Sequence, residues 1–107
     1  MRTLVILLLS TVGCTAPPAR QTAKLPATVQ EAVESIVSRM SPEDQGRLRK
    51  TRREDLINDL HSWGRGIRNE FQLWGGNKAL LDSCGTDSPE RASMAIMEAV
   101  WDRVQKN

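Results

Sequence analysis

The 107-residue chain has no tyrosine, one phenylalanine, three tryptophans, one histidine and two cysteines. Four aromatic side chains are so few that a small core can hardly spare one for solvent. A single histidine excludes a metal cage built on several imidazoles, and no CxxC, HExxH, GxSxG or phosphate-cradling glycine loop appears. No segment alternates apolar and polar residues as a half-buried strand requires. The formal net charge of +2 projects no global field toward nucleic acid. There is no internal repeat, and one run only is both uncharged and strongly apolar.

That run lies at the start. Met1-Arg2-Thr3 precedes Leu4 to Gly13, which carries no charge and is mostly Leu, Val and Ile. A basic start, a short apolar core and a small residue before a cut point make an export signal. As a helix, Thr3 to Gly13 would reach roughly 16 Å against roughly 30 Å of hydrocarbon, too short to span. The stretch Thr11-Val12-Gly13-Cys14 resembles a bacterial lipobox, with Thr11 where Leu is commoner. The resemblance implies that diacylglycerol alkylates the Cys14 thiol, that the signal is cut before it, and that the new amine is acylated. Small Gly13, the uncharged run before it and the loop-like "TAPPARQTAK" after it support this reading. The alternative is an ordinary signal cut elsewhere, leaving Cys14 to bond Cys84.

Two or more acyl chains anchor stably, since each buried methylene contributes about 0.8 kcal/mol. The lipid on Cys14 is therefore expected to hold the protein on a membrane. Thr15 stands where inner-membrane retention would favour Asp, so the expectation is the outer membrane, facing the periplasm. The expected organisation is a signal peptide at residues 1–13, a tether at 14–24 and a helical domain at 25–107. Proline, alanine and threonine with two isolated positive charges cannot offset chain entropy by burial, which makes the second segment a tether.

Helical signals dominate the domain. In "LPATVQEAVESIVSRM", Thr28 and Glu31 form a capping-box pattern, and Val29, Ala32, Val33, Ile36, Val37 and Met40 keep helical spacing. "SPEDQGRLRK" offers Ser41 as cap, Pro42 at the first helical position and two acids near the positive end of the dipole, but few apolar residues. Thr51 and Glu54 repeat the box, and Leu56, Ile57, Leu60, Trp63, Gly64 and Ile67 would line one face of a helix from about Arg52 to Arg68. Gly75-Gly76 breaks the pattern, a short helix restarts near Asn77 and ends before Gly85, and Ser88-Pro89 opens the last. There Ala92, Ile96, Ala99, Val100 and Val104 face inward, and Met97 and Trp101 widen the stripe. So wide a stripe predicts a central helix with two neighbours in a small all-α bundle of four to five short helices.

Three stretches carry a family resemblance: "LPATVQEAVESIV", "EDLINDLHSWGRGIRNEFQLWGGNKALLDSCG" and "ASMAIMEAVW". From Leu25 to Val104 the chain resembles the bacterial family known as domain of unknown function 6794. Its typical members share a leading amphipathic helix, a His then Gly leading into Ile-Arg-Asn, a Leu-Trp followed by Asn, and a final helix ending near Trp. The resemblance implies a helical fold and brings no activity with it. Gly66 departs from the larger side chain usual before Ile-Arg-Asn, and a glycine inside a helix costs roughly 1 kcal/mol relative to alanine.

Two groups of residues invite chemistry. His61 would act as a base with Arg68, seven residues on, near the same helix face. No nucleophile, orienting acid or oxyanion hole accompanies it, so the plainer reading is a histidine at the core edge bonded to a backbone carbonyl. In "IRNEFQLWGGNK", Arg68, Asn69, Trp74, Asn77 and Lys78 combine a fork of donors, two amides and an aromatic plate, suited to a peptide or glycan. Structural roles compete. Asn69 would end one helix, Asn77 would cap the next, Phe71 and Trp74 would plug the bundle, and Arg68 would bond loop carbonyls.

"RLRKTRR" gathers Arg47, Arg49, Lys50, Arg52 and Arg53, which would lean on anionic headgroups. Glu43, Asp44, Glu54 and Asp55 flank it, and self-neutralisation on a solvated face is the leading reading. Cys84 reads as a small core residue. The sequence thus predicts a lipid-anchored, non-catalytic binding or structural module of the envelope, with no cofactor, no metal and no nucleic acid. Its expected partners are the membrane, through Cys14, and an envelope protein or glycan. The rival functions are an immunity-type or inhibitor protein that binds an exported toxin or hydrolase, and a minor enzyme using His61.

Overall fold

Thr28 starts the first helix, α1 (Val29–Arg39), by accepting a hydrogen bond from the Glu31 amide at 3.1 Å. The Glu31 carboxylate reaches back, as a capping box requires, but takes the Ala27 amide at 2.8 Å instead of that of Thr28. The computed structural model describes residues 25–106. The expected signal peptide, Cys14 and the expected tether lie outside them. Ala32, Val33 and Ile36 carry the buried face of α1.

Ser41 and Pro42 open α2 (Pro42–Lys50), where the Ser41 hydroxyl accepts from the Asp44 amide at 3.0 Å. Leu48 is the one residue of α2 that is buried. Its basic cluster is largely spent within the domain. Arg47 pairs with Asp44, Arg52 with Glu54 and Asp55, and Arg53 with Glu98 and Asp102. Arg49 donates to the Val104 carbonyl at 3.0 Å.

The single helix expected from Arg52 to Arg68 does not form. A 3-10 helix covers Arg53–Asp59, a turn follows, and α3 spans Trp63–Glu70. No side chain caps the 3-10 helix, and Thr51 turns back to donate to the Arg47 carbonyl at 3.0 Å. Continuous helix would have committed the Leu60 carbonyl to the backbone. Here it accepts from Arg68 Nη1 at 3.2 Å, so the break supplies an acceptor to a buried cation. Leu56 and Ile67 still reach the core, while Ile57, expected on the same face, is 53% exposed.

Asn77 caps α4 (Lys78–Ser83), and Ser88 with Pro89 opens α5 (Pro89–Gln105). Ala92, Ser93, Ile96, Met97, Val100 and Val104 of α5 are all buried. Every other described element packs against this helix, which makes it the centre of a small all-α bundle. Trp101 sits half-buried and donates to the Thr51 carbonyl at 2.7 Å, fastening the segment after α2. Arg103 and Glu34 tie α5 to α1. No described helix is long and apolar enough to cross a membrane.

Candidate functional site

The turn between α3 and α4 shapes the surface that the sequence singles out. Helix α3 ends with Gln72 in the left-handed region, φ 56°. The Leu73 amide bonds the Arg68 carbonyl at 2.9 Å and the Gln72 amide bonds that of Asn69 at 3.4 Å, a Schellman pattern. This reversal sends Phe71 and Leu73 into the core, 2% and 1% exposed, and leaves Trp74 outside at 60%. Phe71 plugs the bundle as expected. Trp74 does not, because Leu73 takes the inward place.

Trp74 is nevertheless held. Its indole N–H donates to Asn69 Oδ1 at 3.1 Å, and the Arg68 guanidinium lies 5.5 Å from the ring centroid. Arg68 is 3% exposed. Its Nη1 donates to the Leu60 carbonyl and, at 2.9 Å, to Ser93 Oγ, while Nε is buried with no partner. Ser93, fully buried on α5, donates its own hydroxyl hydrogen bond to the Glu90 carbonyl at 2.9 Å. The sequence signal for Ser93 was a polar residue inside the apolar stripe of the last helix, and the reading of that stripe passed over it.

The remaining candidates separate. Asn77 is buried and fully committed: Nδ2 donates to the Pro26 and Phe71 carbonyls at 2.9 Å each, and Oδ1 accepts from the Leu80 amide. It holds the turn and the start of the domain together. Lys78 is exposed and pairs with Asp82 on its own helix. His61 is exposed in the turn before α3, not at a core edge, and makes no hydrogen bond among the described residues. Since α3 starts only at Trp63, His61 and Arg68 do not share a helix face.

Elsewhere, Met40, Leu48 and Trp63 floor an open groove of about 480 Å³ between α2 and α3, with Asp44, Arg47 and Asp59 on its rim. Neither Trp74 nor His61 lines it. Among the described residues no three His, Cys, Asp or Glu side chains come together to hold a metal ion. Arg68, Asn69 and Trp74 are the members of the predicted surface that the fold brings into one unit. That unit can stack on a flat ligand face through Trp74, with a cation directly beneath.

The family described as a domain of unknown function (DUF6794) matches residues 25–104. No curated protein and no solved structure matches the chain.

Proposed function

We propose that this chain, which belongs to the DUF6794 family, is a lipid-anchored, non-catalytic binding module of the bacterial cell envelope. In this reading lipid on Cys14 fixes the protein to the outer membrane on its periplasmic side, and residues 14–24 tether the bundle. The face around Trp74 meets an envelope component. One observation carries the binding role: Trp74 is 60% exposed although the chain has only four aromatics, and its ring bonds Asn69 and lies against Arg68. Leaving a large ring mostly exposed forgoes part of the burial energy, about 1.5–3 kcal/mol for a fully buried large apolar side chain, and exposed aromatics are common binding anchors.

The anchor is tested by mass spectrometry of the mature N-terminus from a native host. Diacylglyceryl-Cys14 is expected, and an unmodified terminus elsewhere overturns the placement. For the binding face, a photoreactive residue replacing exposed Gly75, next to Trp74 and with nothing within 4 Å of an added Cβ, is expected to give an envelope adduct that disappears with Trp74→Ala. An adduct unchanged by that substitution rejects this face as the binding surface.

A further inference from the structure

We infer that Arg68 and Trp74 form a subsite for an acidic sugar, with the indole against the pyranose ring and the guanidinium on its carboxylate. The inference rests on the reading of this face as the binding surface and names its ligand class. Arginine remains charged even when buried. Yet Arg68, 3% exposed, joins none of the ion pairs among the described residues. Its counter-groups are neutral: two oxygens and the π-face of Trp74. Both oxygens sit on Nη1. Nε is buried and unpartnered, and Nη2 makes no hydrogen bond among the described residues. The Nε and Nη2 edge is one on which a guanidinium receives a carboxylate with two parallel bonds.

Trp74 covers the cation and can yield it. Its polar tie is the bond to Asn69, itself exposed, and it stands between buried Leu73 and exposed Gly75. In this proposal the indole turns aside about its side-chain bonds, giving up the Asn69 bond and the contact with the guanidinium, and the ligand takes its place. The carboxylate then replaces the ring as counter-group, and the freed indole offers its electron-rich face to the C–H face of the sugar. The exposed amide of Asn69, bonded to the indole, borders the site and suits a hydroxyl group. A sugar fits better than a peptide. The described residues offer no strand edge for an extended chain to join, and three grooves on the bundle are lined by residues other than Trp74.

The test uses the mature chain in detergent micelles, followed by NMR of the Trp74 indole N–H, whose signal is identified by its loss in Trp74→Phe. Methyl glucuronide is expected to shift this signal saturably and to bind about tenfold more tightly than methyl glucoside or the glucuronide methyl ester, because only it carries the charge. Arg68→Lys should remove most of that preference. Should this variant not fold, Trp74→Ala, at an exposed position, is expected to abolish the response of neighbouring amides to the glucuronide. Equal binding of charged and neutral sugars overturns the role of Arg68 and leaves the binding face standing. A response to an N-acetylated tripeptide with a free C-terminus, but not to glucuronide, overturns the sugar class. Silence toward all of them overturns the inference, while the Trp74-dependent envelope adduct judges the binding face independently.

Discussion

Arg68 Nη1 donates to Ser93 Oγ at 2.9 Å, joining α3 to α5 through two buried polar side chains in an otherwise apolar interface. Ser93 relays the bond to the Glu90 carbonyl, so one hydroxyl serves a cation and a helix turn together. Leaving a buried donor unsatisfied costs about 1–3 kcal/mol, more when it is charged. Ser93→Ala is therefore expected to lower unfolding free energy by about 1–3 kcal/mol in urea titrations. An unchanged midpoint would mean that water reaches Arg68.

The two glycines of α3 should respond oppositely to alanine. A Cβ on Gly64 would stand 3.0 Å from Leu60 Cδ1, 3.1 Å from Arg68 Nη1 and 3.3 Å from Met97 Sδ. Crowding of this kind costs about 1–3 kcal/mol. On Gly66 the same atom meets nothing within 4 Å, so Gly66→Ala should recover most of the propensity difference, about 1 kcal/mol. Thermal melts of the two variants are expected to move in opposite directions.

Helices α3 and α4 end alike. Gly85 occupies the left-handed position after α4, and the Thr86 and Gly85 amides bond the Leu81 and Asp82 carbonyls at 3.2 and 3.0 Å. Gln72 holds the equivalent place after α3 with a side chain that the conformation disfavours by roughly 1–2 kcal/mol. Gln72→Gly should stabilise the domain by about 1 kcal/mol and Gly85→Ala should destabilise it comparably, as read by denaturant midpoints. If Gln72→Gly also weakens binding at Trp74, the turn positions the indole.

Much of this fold was legible because caps are local chemistry. Thr28, Ser41, Asn77 and Ser88 each accept the amide bond that their side chains imply. The break before Trp63 was not legible, since the apolar spacing from Leu56 to Ile67 fits a continuous helix. What decides it includes a tertiary demand, the use of the Leu60 carbonyl by Arg68. The choice between a core and a surface place for Trp74 was not legible for a similar reason: the backbone reversal at Gln72 carries no glycine signal, and it hands the core position to Leu73. For the candidate site, the residue types and the grouping of Arg68, Asn69 and Trp74 were visible in sequence, and the separation of His61 and Lys78 from them was not. Asn77 proved a structural hub, and Ser93 entered from a distant helix.

Acid should loosen the contact between the first and last helices. Arg103 donates to Glu34 at 2.5 and 3.1 Å, and these bonds hold the Glu34 carboxyl below its ordinary value of 4.5. A carboxylate with a lowered folded pKa stabilises above the unfolded value, and that contribution is lost as pH falls through the folded one. Both side chains are substantially exposed, so the effect is small and salt-sensitive. Glu34→Gln should lie below the parent in stability at pH 7, and the gap should close as pH falls from the unfolded value through the lowered folded one.

Cys84 gives the opposite sign at the alkaline end. Its thiol is half-buried beside α5 and donates to the Ala92 carbonyl at 3.7 Å, and burial pushes its pKa above the ordinary 9.0. The folded state therefore favours the protonated thiol. This contribution is complete below the unfolded pKa and is lost as pH rises through the folded one, so stability should decline more steeply above about pH 9 than in Cys84→Ala. At pH 8 the native thiol should react with iodoacetamide more slowly than glutathione does, and urea should remove the difference. The same reaction separates the two fates of Cys14. With lipid on Cys14, native mature protein takes up alkyl group at Cys84 without reduction. With a bond between Cys14 and Cys84, no alkylation occurs until a reductant is added, and the proposed anchor is refuted.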